Sequence, residues 1–394
     1  MLLRKDTSLR LLIAAQLVLA AMFASPVLTG DPLAYNDILS FYTGGAIVRD
    51  GQGGKLYDLG LQAAYQAKAF GLESSDSRYG LLPFMNPPHV ALIFTPLAYL
   101  SPKAAASVYL ALNCLIAAWV LRRLWLLAAG WSRTEQMLLV TTTLATEVLW
   151  YNLGTGTITL LAFVCLMEYY LAMRAGRDSR AAVWLVAATI KPQLILLPAL
   201  IPLAQRRWRL VVMALLLGLL VGLGISLSFG FHIWADYLRL LRHVGAHGEA
   251  YRAFPMLMDN LRMILYRTVT PALVMPLVYL ALLAGGTYVF WMWRSDREFN
   301  LRFALAVLLG LFLAPHSNYQ DTLVAILPAA LGYDFVRRKR GGLVRAFQVF
   351  MLIATFLPAA LIFTGYFPTL QWIWPVPIIV GLAAVCAVSL TKRA

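Results

Sequence analysis

Apolar runs near 20 residues long, separated by short polar stretches, recur along the whole chain. A helix needs about 20 such residues to cross a hydrocarbon core of roughly 30 Å, so the pattern predicts an all-α polytopic membrane protein. Leu9–Leu28 is the first span. After it the pattern breaks into a long polar stretch, residues 30–83, holding two predicted amphipathic helices, around Asp37–Arg49 and Leu59–Phe70. Val90–Leu100 is short and proline-rich, and is predicted to lie at the interface rather than cross. The remaining runs are Ala104–Leu121, Thr134–Trp150, Ile158–Met173, a stretch broken at Lys191-Pro192, Leu210–Phe229, Ala272–Trp293, Leu301–Leu313, Thr322–Val336, Val344–Phe363 and Ile373–Leu390. Counting both arms around Lys191, about 12 crossings are expected, with residues 1–394 forming one membrane domain. A second large external loop spans residues 230–270. No internal repeat or inverted symmetry is visible.

Basic residues set the orientation. Lys and Arg cluster in short loops between apolar runs, and such loops stay cytoplasmic. Arg4, Lys5 and Arg10 therefore place the N-terminus inside, and Lys392 and Arg393 do the same for the C-terminus. This clustering accounts for the net charge of +15, which in a soluble chain would suggest a nucleic-acid partner. With 61% hydrophobic and 13% charged residues, a soluble domain is excluded. The three cysteines, Cys114, Cys165 and Cys386, all lie in apolar runs and have no metal or disulfide spacing.

Given this orientation, the uncommon polar residues share one side. Asp37, Asn86, His89, Asn152, Lys191, Gln193, His232, His316, Asn318, Gln320 and Asp321 all fall at outer helix ends or in external loops. Ionisable groups at membrane depth are costly and usually face a cavity or a partner, so one outward cavity is expected. Asp37, close to Phe41 and Tyr42, suits a general base, and equally suits an N-cap for a helix starting at Ile38. Lys191 at a broken helix suits a phosphate, and equally suits a snorkelling lysine. Asp321 opens a helix, where a capping role is natural. Glu147 and Glu168 are expected to serve helix packing. His243 and His247 share a helical face but lack a third ligand. Gly51-Gln-Gly-Gly54 lacks a strand–turn–helix setting and there is no Walker sequence, so no nucleotide, cofactor or metal is called for.

Several segments, taken in order, carry a family likeness: Tyr35-Asn-Asp-Ile-Leu-Ser-Phe-Tyr42, Asn86-Pro-Pro-His-Val90, Ala188-Thr-Ile-Lys-Pro-Gln193, Gln205-Arg-Arg-Trp-Arg209 and Ala314-Pro-His-Ser317. This series resembles glycosyltransferase family 87, of the GT-C fold, whose known members are polyprenol-phosphate-mannose-dependent mannosyltransferases. The likeness departs at Asn86-Pro87-Pro88, where the family has Tyr-Pro-Pro, and at Ala314-Pro315, where it has Ser-Pro. It implies Asp37 as general base, a polyprenyl-phosphate sugar donor, and a glycolipid or glycan acceptor. It also implies a bacterial plasma membrane with the site facing outward. Lys191, Gln193, Tyr42, Asn86, His89, His316, Asn318 and Asp321 are the candidate residues for donor phosphate or substrate. Two alternatives stay open: a transporter or flippase of a lipid-linked sugar, and a GT-C transferase for another sugar such as arabinofuranose. The polar clustering on one side favours an enzyme over a transporter.

Overall fold

The computed structural model describes residues 5–30, 37–70, 81–247, 258–294 and 298–339. The predicted spans Val344–Phe363 and Ile373–Leu390 and residues 248–257 of the second external loop lie outside these. The described residues form helices joined by 3-10 turns, with one isolated bridge between Met258 and Asn318 in place of any sheet.

In chain order the helices are α1 Lys5–Thr29, α2 Ile38–Arg49, α3 Leu59–Phe70, α4 Pro88–Phe94, α5 Pro102–Leu127, α6 Arg133–Ala145, α7 Glu147–Thr155 and α8 Thr159–Arg174. They continue with α9 Asp178–Ala187, α10 Ile201–Ala204, α11 Trp208–Phe229, α12 Ile233–Ala246, α13 Leu261–Thr268, α14 Pro271–Met292, α15 Phe299–Leu313 and α16 Ile326–Lys339. Four stretches among the described residues are long and apolar enough to cross a membrane: Arg10–Thr29 within α1, and α5, α11 and α14. Their outer faces carry exposed side chains such as Leu17, Leu115, Leu219 and Leu283, as lipid-facing surfaces do. The shorter α8 and α15 are buried on almost every side and pack at the centre, where Tyr169 and Tyr170 meet Phe303.

Several boundaries differ from the sequence expectation. The run Thr134–Trp150 is two helices. Thr141 and Thr143 hydrogen-bond their hydroxyls back to Met137 and Leu139 carbonyls, and Thr146 turns the chain into extended geometry. The chain around Lys191-Pro192 resolves into 3-10 turns at Ala188–Ile190, Pro192–Leu194 and Pro198–Leu200, because proline lacks the N–H a continuous helix needs. Residues 88–99 form only α4 and a 3-10 turn, Thr95–Tyr99, too short together to cross.

The stretch expected to be the first external loop is also built differently. Its helix α2 is not amphipathic: nine of its twelve residues are buried. It is sheathed by α4, the Thr95–Tyr99 turn and α3. Phe41 stacks on Phe94 at 4.5 Å, and Tyr42 donates to the Leu100 carbonyl at 2.9 Å. In α3 the buried side is polar. Gln62 donates to Leu56 and accepts from the Phe84 amide, and Gln66 exchanges two bonds with Leu82, so α3 straps residues 82–84 onto α2.

Candidate functional site

The site is built around the turn between α7 and α8. Gly156 closes α7 in the left-handed region at φ 65°, a conformation glycine adopts without steric cost. The Asp37 amide donates to the Thr155 carbonyl at 2.5 Å, and the Tyr109 hydroxyl donates to the Thr157 carbonyl at 3.1 Å. Asn152 fixes the turn from below, accepting from the Thr157 hydroxyl and donating to the Gln320 carbonyl at 3.0 Å. Thr159, the first residue of α8, then meets Lys191 and Asp321. Five residues of chain thereby connect the start of α2, the broken helix and the 314–321 turn.

Lys191 and Asp321 form a buried ion pair. Lys191 is 8% exposed, and its ammonium also donates to Thr159 Oγ1 at 2.6 Å. The Thr159 hydroxyl in turn donates to Asp321 Oδ1 at 3.1 Å. Asp321 closes a capping box with Asn318, accepting from the Asn318 amide at 3.2 Å. The predicted capping role of Asp321 is therefore present, together with a charge role that needs a partner 130 positions away in sequence. Lys191 is not a free, snorkelling cation.

Asp37 stands at the start of α2, and its side chain makes no capping bond to the helix. The carboxyl is half-buried, and crowding by protein desolvates it. Burial raises its pKa to about 6, the Lys191 charge lowers it, and the Asp321 charge raises it. A carboxylate poised near neutrality and unused by the fold can accept a proton.

His316 lies on the 314–321 turn, its Nε2 3.4 Å from the Asn318 side-chain nitrogen. Burial pushes its pKa down to about 4, so the imidazole is neutral at pH 7. Tyr319 donates to Glu147, and its ring meets Tyr151 edge-on at 5.5 Å. Glu147 thus joins this outer cluster rather than serving only helix packing.

The other predicted residues are placed further out. Tyr42 is buried and holds α2 to Leu100. Asn86 offers its backbone carbonyl to the Tyr57 hydroxyl at 2.7 Å. His89 is half-buried, and neither ring nitrogen has a hydrogen-bond partner. Gln193 is half-buried on the 3-10 turn after Lys191. His232 reaches the Gly54 carbonyl at 2.9 Å and Tyr237 packs on Tyr57, joining α12 to the segment between α2 and α3. His243 and His247 sit with tilted rings 4.6 Å apart at the exposed end of α12, and no metal-holding group occurs among the described residues.

Asp259 and Arg262 escaped the sequence reading. Asp259 is fully buried, and its amide donates to the Ser317 carbonyl at 3.2 Å. Burial, with the Asp321 charge in support, raises its pKa well above the ordinary value. Arg262 donates to the Pro315 carbonyl at 3.2 Å, clamping α13 to the turn that carries His316. Nothing in sequence separates these two from other polar residues of a long loop; the tertiary pairing of residues 258–262 with the 314–318 turn brings them to the site.

The model of glycosyltransferase family 87 matches residues 84–315, more than half of the chain. The matched stretch holds Lys191, Asp259 and Arg262; Asp37 and Asp321 lie outside it, attached through the α7–α8 turn. No curated protein and no solved structure matches the chain.

Proposed function

The chain belongs to glycosyltransferase family 87, and we propose that within it the protein is an inverting membrane glycosyltransferase. In this reading a sugar, most simply mannose, passes from a polyprenyl phosphate to an acceptor hydroxyl on the extracytoplasmic side. The carrying observation is Asp37: a half-buried carboxylate, unused as a cap, whose pKa is raised to about 6 beside a buried lysine.

Asp37 takes the proton of the acceptor hydroxyl as that oxygen attacks the anomeric carbon. The bond from that carbon to the phosphate oxygen breaks, and polyprenyl phosphate departs as the anion with the bonding electron pair. One displacement inverts the anomeric centre, so a β-linked donor yields an α-linked product. A phosphate leaves without being protonated, so no second carboxylic acid is needed, unlike glycoside hydrolysis. Charge developing on the leaving oxygen is met by preorganised donors. The Lys191 ammonium and the Thr159 hydroxyl are the donors nearest Asp321.

Transfer of radiolabelled mannose from polyprenyl-phosphate mannose, in membranes expressing wild type or Asp37→Asn, tests the reading. General-base help is worth about 10²–10⁴-fold, so Asp37→Asn should lose most label transfer while keeping donor binding. Equal transfer by both proteins removes Asp37 from the chemistry. Transfer from arabinofuranosyl or glucosyl lipid but not mannosyl lipid replaces the sugar and keeps the mechanism.

A further inference from the structure

The polar side chains of Asp259 and Ser317 have no structural explanation. Both residues are 0% exposed, and neither carboxylate oxygen of Asp259 nor the Ser317 hydroxyl has a hydrogen-bond partner. Loose packing does not account for this, because everything around them is tied down. Met258 bridges Asn318, the Asp259 amide donates to the Ser317 carbonyl, and Asn260 donates to the Ala314 carbonyl at 2.9 Å. Asn260 also caps α13. The backbone therefore holds two residues with unpaired polar side chains opposite each other on paired chain segments.

A buried polar group left unpaired costs roughly 1–3 kcal/mol, and a buried unpaired charge costs far more. Burial raises the Asp259 pKa and so favours the neutral form, which avoids the second cost. A neutral carboxyl both donates and accepts, and so does the serine hydroxyl beside it. Neighbouring hydroxyls on a sugar ring are the matching ligand. A phosphate is the poorer match, since the two groups offer one proton each and no positive charge.

Position agrees with chemistry. Asp259 interacts electrostatically with Asp321, Tyr151 and Tyr319, and Asp37 acts on Tyr151 as well. Tyr151 is 40% exposed and stands edge-on to Tyr319, which follows Ser317 by two residues on the same turn. We propose that Asp259 and Ser317 form the subsite that binds hydroxyls of the transferred sugar, at the turn that also carries Asp321. The assignment rests on the sugar-transfer reading above and adds the residues that recognise the sugar itself.

The test compares affinities of the full chain, in lipid nanodiscs, for polyprenyl-phosphate mannose and for bare polyprenyl phosphate. Wild type should bind the glycosylated lipid more tightly. Asp259→Leu should bring that preference down about tenfold or more while bare-lipid affinity stays the same, because only the sugar loses its partners. Asp259→Asn, which still donates and accepts, should restore a large share of the preference. Ser317→Ala, which removes one atom, covers the case in which Asp259→Leu fails to fold. If Asp259→Leu or Ser317→Ala keeps the full preference, or lowers affinity for both lipids equally, the subsite is overturned. A wild type blind to the sugar, with arabinofuranosyl and glucosyl lipids included, overturns it too. The transfer assay with Asp37→Asn is read separately. Loss of the preference in Asp259→Leu beside an inert wild type sinks the transferase reading and leaves the sugar site standing.

Discussion

Charge at single residues governs when this site can work. If Asp37 is the base, kcat/KM should fall about tenfold per pH unit below about pH 6 and level off above it, since only the carboxylate accepts a proton. The position of that limb reports on the Lys191–Asp321 pair. Lys191 lowers the Asp37 pKa by more than Asp321 raises it, so removing both charges should move the limb to higher pH. The variant for this is Lys191→Met/Asp321→Asn, which leaves neither charge buried alone. Lys191→Met by itself strands Asp321 and should cost roughly 3–5 kcal/mol of stability, most of which the double variant recovers. A pH–rate profile unmoved in the double variant would remove the pair from the electrostatics of the base. Little of this was legible locally. Lys191-Pro192 announces a broken helix, because proline cannot continue the hydrogen-bond ladder. Asp321, however, reads as an N-terminal cap, and its cap is only half of its role. Asp259 gave no signal at all, being one acid in a long polar loop until the pairing with residues 317 and 318 places it.

Elements owe their positions to close contacts that periodicity does not reveal. A helix in an external loop is expected to be amphipathic, yet α2 is buried nearly all round, because residues 82–100 fold back over the face assumed to meet water. The sequence does carry a trace of this in Gly44-Gly45, two small residues inside a helix where each costs propensity. A Cβ on Gly45 would stand 2.6 Å from the Phe94 carbonyl oxygen, which is backbone and cannot rotate away. Gly45→Ala should therefore push α2 off α4, lowering stability by about 1–3 kcal/mol and misplacing Asp37 at the head of the same helix. Gly130→Ala, with nothing within 4 Å, is the matched control and should leave both melting temperature and label transfer unchanged. A Gly45→Ala protein that melts and transfers like wild type would show that the α2–α4 contact does not position the base.

Over the whole molecule, polar chemistry separates to two ends of the same central helices. At one end of α8 Thr159 holds Lys191 and Asp321; nine residues on, ~14 Å at 1.5 Å per residue, Glu168 pairs with Arg123 and Arg180. The neighbouring helices keep this polarity. Asn300 at the start of α15 accepts from Tyr170 near the end of α8, so α15 runs back to the site and delivers residues 314–321 to it. From there α16 leads away again, to Asp334 and Arg337, which engage Trp131 and Glu135. Arg123, Arg180 and Arg337 thus lie away from Asp37, the arrangement the positive-inside bias predicts if the site faces outward. Single cysteines read this directly, in a background from which Cys114, Cys165 and Cys386 are removed. Lys55→Cys, exposed beside α2, should react with a membrane-impermeant maleimide in intact cells. Arg177→Cys, exposed between α8 and α9, should react only after permeabilisation. The reverse pattern would turn the molecule over and put Asp37 in reach of cytoplasmic donors. Labelling of both positions from one side would break the link between the α8 axis and the membrane normal on which the sidedness rests.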